Sequence, residues 1–298
     1  MIRKMMVSLA ALAAFAALLV TPAYAESGWH LLNMPPGVSE LSKKIYSLHM
    51  LIFYVCVAIG IVVFGVMIYS IFAFRKSKGS IPDVTMVHDT RVEVLWTIVP
   101  VIILVAMAVP AAKTLVAIED MRNTELTIKV TGFQWGWNYD YLDNGVSFFS
   151  RLDRQSDAAR QLASGIDPHT VPNYLLNVDH PLVVPAGKKV RLLLTANDVI
   201  HSWWVPAFGM KKDAIPGFVN EMWFKIDTDK LGVYRGQCVE LCGRDHGFMP
   251  IVVDVRTQED FDAWIKEQAA QSKPQQAAKP VEQAPATAQA SNASVAAG

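Results

Sequence analysis

The most informative stretch of this chain is Cys238-Val-Glu-Leu-Cys242-Gly-Arg-Asp-His246-Gly-Phe-Met249. It places two thiols, one imidazole and one thioether within twelve consecutive residues. A second imidazole, that of His201, stands upstream in the segment His-Ser-Trp-Trp-Val-Pro. Soft thiolate and thioether ligands combined with imidazole favour copper. The stretch therefore predicts a metal site, and the sequence on either side indicates what kind of fold carries it.

Each part of this pattern also has a plainer explanation. A Cys-x-x-x-Cys pair in an exported protein is more often a disulfide or two unrelated thiols. A histidine near aromatic residues is usually partly buried, and a methionine before proline is usually a core residue. Zinc accepts a Cys2His2 set as well, although the methionine and the size of the domain speak against a zinc staple. One cysteine, two histidines and a weak methionine would make a mononuclear blue-copper site. Two cysteines can each bridge a pair of metals, and this stoichiometry fits a binuclear copper centre.

Short segments of β type surround the metal stretch and are separated by Gly, Pro, Asn and Asp, as strands are. The candidates are residues 126–131, 182–184, 189–196, 221–227, 232–237 and 251–255. Several short strands at such spacing predict an all-β sandwich or barrel. The polar residues 150–172 are expected to form an inserted loop or short helix, and residues 258–271 a terminal amphipathic helix.

Two long apolar stretches, residues 45–74 and 92–118, precede the β segments. Each is long enough to cross the hydrocarbon core of a membrane as a helix. The loop between them is basic, which places it on the cytoplasmic side; its cations are Arg75, Lys76, Lys78 and Arg91. The sequence thus predicts an α+β membrane protein, in which a two-helix transmembrane hairpin (45–118) is followed by an all-β domain (119–272).

The two ends of the chain differ from the parts between them. Residues 1–25 combine Arg3 and Lys4, an apolar stretch and Ala23-Tyr24-Ala25, which is the pattern of a cleaved signal peptide; a first membrane helix is the alternative. Residues 26–44 would then be a periplasmic N-terminal segment, and residues 273–298, rich in Ala, Gln and Pro, a disordered tail. A hydrophobic content of 52% is high for a soluble protein, and the zero net charge does not suggest nucleic acid as a partner.

The histidine and cysteine motifs together resemble the CuA motif of cytochrome c oxidase subunit II. That motif combines His201-Ser-Trp with Cys-x-Glu-x-Cys-x-x-x-His-x-x-Met, and the resemblance covers nearly the whole chain. Other similar segments are Gly132-Phe-Gln-Trp-Gly-Trp137, Lys212-Asp-Ala-Ile-Pro-Gly217, Gly236-Gln-Cys238 and Val92-Glu-Val-Leu-Trp-Thr-Ile-Val-Pro100. The resemblance implies a cupredoxin-like β-barrel, which agrees with the predicted strands.

The resemblance also implies a role for each residue of the metal stretch. Cys238 and Cys242 would bridge two coppers, and His201 and His246 would be the terminal imidazoles. Weak ligands to the two coppers would be Met249 and the backbone carbonyl of Glu240. The side chain of Glu240 would help to bind Mg²⁺ at the contact with subunit I; a solvated loop carboxylate is the alternative.

Further residues match positions that the family uses for electrons and protons. Trp135 resembles the tryptophan through which electrons arrive; alternatively, Trp135 and Trp137 are simply alternating strand residues. Glu93 matches a glutamate at the entrance of a proton channel into subunit I, although a carboxylate there can also be merely interfacial. Three residues fall where the family has acidic docking positions for cytochrome c, or belong to an ordinary solvated surface: Asp140, Asp179 and Asp198.

The function implied is that of the electron-accepting subunit of a bacterial oxidase. Electrons from cytochrome c would pass through the two coppers to the haems of subunit I, where oxygen is reduced with proton pumping; subunit III would be a further partner. No Cys-x-x-Cys-His haem signature follows the copper motif, so the donor would be a separate cytochrome. The chain would lie in the bacterial inner membrane, with both termini and the copper domain periplasmic.

Three other classes of protein share parts of the pattern. Subunit II of a quinol oxidase has the same anchor and barrel but lacks the copper ligands. Nitrous oxide reductase carries a similar copper motif on a soluble protein. A membrane-tethered copper carrier or assembly factor would bind Cu(I) and would need neither Trp135 nor Glu93.

Overall fold

The computed structural model describes residues 32–81, 84–85 and 87–272 of the chain. The predicted signal peptide at 1–25, the first part of the predicted segment 26–44 and the predicted tail at 273–298 lie outside the described residues. Among these residues, two long helices come first, and ten short strands with two further helices follow. This order confirms the predicted fold class.

The two long helices are α1 (Glu40–Ala73) and α2 (Thr90–Ile118). Ser39 caps α1 by accepting a hydrogen bond from the Ser42 amide, and Asp89 caps α2 in the same way; such a cap typically contributes about 1 kcal/mol. Because of these caps, both helices begin before the apolar stretches that predicted them. Both are long and apolar enough to span a membrane, and the most apolar window of each is unburied, as expected for a membrane anchor.

The ten strands form two sheets of five. In spatial order the first sheet holds β3 (Val146–Ser150), β2 (Gly136–Tyr141), β1 (Leu126–Phe133), β5 (Lys189–Ala196) and β8 (Asn220–Lys225). The second holds β4 (Leu182–Pro185), β10 (Pro250–Arg256), β9 (Gly232–Cys238), β6 (His201–Trp204) and β7 (Lys211–Ala214). The pairs β1–β5 and β4–β10 are parallel and the others antiparallel. All six expected strands are present; β2, β3, β6 and β7 were not expected.

Aromatic side chains fill the space between the sheets and join them. Tyr141 of β2 is buried, and its hydroxyl both donates to the carbonyl of Val183 (2.7 Å) and accepts from its amide (3.0 Å) in β4. The indole of Trp203 in β6 stacks on Phe224 of β8 with an interplanar angle of 3°. Burial of such rings provides most of the apolar area that stabilises a sandwich. The sheets therefore form one rigid support for the loops between them.

Two shorter helices flank the sandwich. The helix α3 (Arg154–Ala159) lies in the segment between β3 and β4, followed by a 3₁₀ turn at Pro168–Thr170. These elements agree with the predicted loop or short helix. The helix α4 (Gln258–Ser272) follows β10 and packs its Phe261 against the core.

The outer ends of the helical hairpin are attached directly to the β-domain. The buried hydroxyl of Ser39, just before α1, donates to the carbonyl of Phe208 at 2.8 Å. The indole of Trp223 in β8 donates to the carbonyl of Ala117 near the end of α2, at 3.3 Å. Lys189 of β5 also donates to the Asp120 carbonyl at 2.6 Å. The hairpin and the sandwich are thus joined at both outer helix ends.

Candidate metal centre

Three adjacent strands place the predicted ligands. His201 begins β6, Cys238 ends β9, and the Trp203–Cys238 register pairs the two strands. After Cys238 the chain leaves the sheet, makes a 3₁₀ turn at His246–Phe248, and returns to the sheet after Met249 as β10. The antiparallel pairing of β9 with β10 closes this loop. Ligands far apart in sequence therefore meet at one end of the second sheet.

The predicted ligand atoms form one compact cluster. The sulfurs of Cys238 and Cys242 are free thiols 3.9 Å apart. Nδ1 of His201 lies 4.0 Å from the first sulfur, and Nδ1 of His246 lies 3.4 Å from the second. The sulfur of Met249 is 3.5 Å from that of Cys242. Each thiol thus has its own imidazole, and all but the half-buried His246 are buried.

Two parts of Glu240 are placed differently. Its backbone carbonyl lies 3.4 Å from the Cys238 sulfur and belongs to the cluster. The residue as a whole is exposed to solvent. The carbonyl is available to a metal between the thiols, whereas the carboxylate is available to a group outside the loop.

A carboxylate fixes the orientation of the His201 ring. Asp198 Oδ1 lies 2.9 Å from Nε2 of His201, while Oδ2 accepts from the backbone amide of Gln134 at 2.7 Å. Burial disfavours the imidazolium, but the hydrogen bonds to Cys238 and Asp198 outweigh this effect and raise the pKa of His201. With Nε2 engaged, Nδ1 points to the thiols, which is the usual arrangement of a metal-binding histidine.

The two thiols differ in acidity. Burial raises the pKa of Cys238, but its hydrogen bonds to His201 and to backbone groups outweigh burial and lower the pKa. At Cys242, burial and then the negative charge of the Cys238 thiolate raise the pKa. Cys238 is therefore the more acidic thiol of the pair, and its negative charge opposes ionisation of Cys242. A cation between the sulfurs removes that opposition, since metal binding releases thiol protons.

The wall of the cluster behind His201 is tightly packed. A Cβ atom at Gly132 would lie only 2.8 Å from Cδ2 of the His201 ring. The buried indole of Trp137 meets the same ring edge-on, with 6.0 Å between centroids. Only glycine at position 132 lets β1 approach the imidazole this closely.

Trp135 directly contacts the loop between β9 and β10, residues 239–249, which we call the metal loop. It lies in the tight turn between β1 and β2 and is half-buried, whereas Trp137 is a fully buried residue of β2. The Trp135 indole donates to the Cys242 carbonyl at 3.1 Å, and the Gln134 side-chain amide donates to the same oxygen at 2.8 Å. The cation of Arg244 lies 5.5 Å from the Trp135 ring. No sequence pattern indicated this role of Gln134.

The three predicted docking aspartates all have intramolecular partners. Asp140 accepts from Asn138 at 3.0 Å, and Asp179 accepts from the amides of Arg151 and His180 at 2.8 Å. Asp198 serves His201, a role that the sequence analysis did not assign to it. The carboxylates of Asp179 and Asp198 keep 38% and 30% of their surface exposed, which leaves them accessible to a partner.

Glu93 is not part of the cluster. It lies in the first turn of α2, half-buried, beside the loop between the two membrane helices. That loop is at the opposite end of the hairpin from the β-domain, to which the other end of α2 is attached.

Models of two protein families match the chain. The one described as "Cytochrome C oxidase subunit II, periplasmic domain" matches residues 126–256. The one described as "Cytochrome C oxidase subunit II, transmembrane domain" matches residues 27–114. The two matches do not overlap and together cover both parts of the fold.

Individual relatives agree with the family matches. A probable cytochrome c oxidase subunit 2 of Rickettsia conorii is 40% identical over 239 residues, covering 80% of this chain and 71% of the relative. The cytochrome c oxidase subunit 2 of Cereibacter sphaeroides is 35% identical, with 78% of each chain covered. Among solved structures, the periplasmic domain of subunit II of cytochrome oxidase of Bradyrhizobium japonicum is 42% identical, covers 50% of this chain and 96% of its own, and gives a TM-score of 0.42.

Proposed function

This chain belongs to the cytochrome c oxidase subunit II family, and we propose that it receives electrons from cytochrome c at a binuclear copper centre and passes them to the haems of subunit I. Members of the family are subunits of an oxidoreductase complex. In this proposal oxygen is reduced in subunit I with proton pumping. The chain lies in the bacterial inner membrane with its copper domain in the periplasm, and subunit III is a further partner.

One observation carries the proposal: two free, buried thiols lie 3.9 Å apart, and each has its own imidazole. A mononuclear blue-copper site needs only one thiolate. Two coppers held by Cys238, Cys242, His201 and His246 would supply a site that gains and loses one electron. Met249 and the Glu240 carbonyl, each within 3.5 Å of a thiol, complete a donor set that is soft and nearly symmetric. A zinc site would not use the thioether of Met249 as a ligand.

The protein would contribute stiffness at this site. His201 is held by Asp198 and Gly132, and both cysteines lie on a loop closed by paired strands. Ligands fixed in this way move little when the charge of the site changes, so that less free energy is lost in rearrangement. Burial of the thiols keeps water from the cluster.

Partners are expected on two sides of the loop. Trp135, bonded to the Cys242 carbonyl and partly exposed, would face cytochrome c. Asp140, Asp179 and Asp198 would steer a basic donor towards it. The exposed carboxylate of Glu240 would bind Mg²⁺ together with subunit I.

The proposal is tested on the full-length chain, purified in detergent from copper-replete cells. We expect two coppers per chain, near-infrared absorption and a mixed-valence EPR spectrum, because the two thiols lie 3.9 Å apart and each has its own imidazole. Reduction by cytochrome c should slow as salt is raised. At an ionic strength of 0.1 M, the attraction between exposed carboxylates and a basic donor is largely screened at separations beyond about 10 Å.

Two outcomes would contradict parts of this scheme. A single copper, or a colourless Cu(I) site, would instead support a membrane-tethered copper carrier. A reduction rate that does not change with salt would exclude the aspartates as a docking site while leaving the copper centre in place.

Glu93 gives a separate prediction for the assembled oxidase. Replacing Glu93 with alanine should slow turnover several-fold, because carboxylates at the edge of a membrane span commonly serve proton paths. The near-infrared copper band should be unchanged, since Glu93 lies at the far end of the hairpin. Glu119→Ala, at the other end of α2, is the matched control. Equal turnover of the Glu93 variant and the control would refute the role.

A further inference from the structure

Arg160, in the segment between β3 and β4, contacts the metal loop. Its guanidinium lies over the ring of Phe248, with 4.4 Å to the centroid, and 3.5 Å from Asp245 Oδ1. Its Nε donates to Asp157 in the same segment at 2.7 Å. Arg160 thus joins a segment that the sequence left without a role to the loop that carries the ligands.

The two contacts of Arg160 lie on either side of a ligand. Asp245 immediately precedes His246, and Phe248 is two residues beyond it in the same 3₁₀ turn. Only 22% of the Arg160 side chain and 14% of the Asp245 side chain are exposed. Partial shielding makes this ion pair and cation–π contact stronger than they would be at an open surface.

The support behind Arg160 is itself fixed. The ends of its segment are joined by the Leu152–Val178 bridge and by the bond from the Asp153 amide to the Asn177 carbonyl, at 3.2 Å. The Asn177 side chain also accepts from Arg235 of β9 at 3.1 Å. The segment that carries the Arg160 guanidinium is therefore anchored to β9, the strand that ends at Cys238.

The two imidazoles of the cluster differ in how they are supported. Asp198 holds the His201 ring, as described above. Within residues 32–81, 84–85 and 87–272, the His246 ring has no carboxylate partner, and its hydrogen bond is the one between Nδ1 and the Cys242 sulfur. The position of His246 must therefore be set through its backbone turn, which is where Arg160 acts.

We propose that Arg160 is a positioning residue, which clamps the turn at residues 245–248 and thereby holds His246 beside Cys242. The clamp rests on the proposed function, because a ligand role for His246 presupposes the copper centre. In this proposal the segment between β3 and β4 positions the imidazole of His246, as Asp198 positions that of His201.

The test compares three variants of the full-length chain in detergent. Arg160→Ala should lose copper to an excess of chelator about threefold to tenfold faster than the wild type, as expected for loss of a partly shielded cation–π contact. It should also change the EPR hyperfine pattern. Arg160→Lys should be intermediate, because it keeps the charge but not the planar group that stacks and pairs. Arg154→Ala, at an exposed position of helix α3 in the same segment, should behave as the wild type.

A second readout needs no metal. In the copper-free chain, hydrogen exchange in a peptide covering residues 243–249 should be faster in Arg160→Ala than in Arg154→Ala, with equal melting temperatures. Unchanged exchange together with an unchanged rate of copper loss would overturn the clamp. A wild type that binds no pair of coppers would refute the proposed function instead, while the exchange measurement would still decide whether Arg160 holds the turn.

Discussion

Replacing Cys238 with serine is expected to remove both coppers from the chain at once. The Cys238 sulfur is central to the cluster, lying 3.9 Å from Cys242, 4.0 Å from His201 and 3.4 Å from the Glu240 carbonyl. A serine hydroxyl is a hard donor that does not replace a bridging thiolate. Copper analysis and the near-infrared spectrum of the full-length chain should therefore fall together to background. Oxidation of cytochrome c by the assembled enzyme should be lost with them.

The third cysteine of the chain provides the matched control. Cys56 is a free, exposed residue in the middle of α1, far along the chain from the cluster. Cys56→Ser should keep both coppers and full activity. A Cys238→Ser chain that retains one copper would point to a mononuclear site built from Cys242, His246 and Met249, and would contradict the bridged centre.

Replacing Trp135 with alanine should have the second largest effect. Truncation of a tryptophan at the centre of an interface typically weakens the binding free energy by about 2 kcal/mol or more, which lowers the affinity roughly thirtyfold. We therefore expect the second-order rate with cytochrome c to fall by about this factor. The copper spectrum should change little, because the Cys242 carbonyl keeps its second hydrogen bond, from Gln134 at 2.8 Å. Stopped-flow reduction at low donor concentration measures the rate.

Trp135→Phe separates two roles of the same residue. Phenylalanine keeps an aromatic ring in the turn but loses the indole N–H that donates to Cys242. If the ring is what the donor meets, this variant should recover most of the rate. If instead both variants shift the copper band and release copper, Trp135 holds the metal loop and is not the place where electrons arrive.

The ligand set was predictable because most of it lies on one loop. Cys238, Cys242, His246 and Met249 are close in sequence, so that their spacing alone indicates a metal site. His201 lies on another strand; its imidazole made it a candidate from the start, and the family resemblance gave it a ligand's role. The structure explains the connection through the pairing of β6 with β9.

Several elements could not be predicted because their residues carry mixed signals. The strand β6 is only four residues long, and β7 contains two lysines and an aspartate in four residues, a composition typical of a loop. Asp198 resembles any surface carboxylate until its bond to His201 is seen. The contacts of Arg160 join residues distant in sequence, and no local pattern indicates such pairings. Ser39 and Asp89 are recognisable N-caps, but the two helices were predicted from their apolar stretches, which begin several residues later.

The attachment of the hairpin to the sandwich has a mechanical consequence. Rotation of the sandwich relative to the membrane would break the bonds of Ser39 and Trp223 and expose the buried Leu41 to water. The cluster is thus held at a fixed position relative to the helical hairpin. If the chain receives electrons as proposed, a fixed centre would require the donor to come to it, and we expect turnover at low donor concentration to follow the number of donor molecules near the membrane surface.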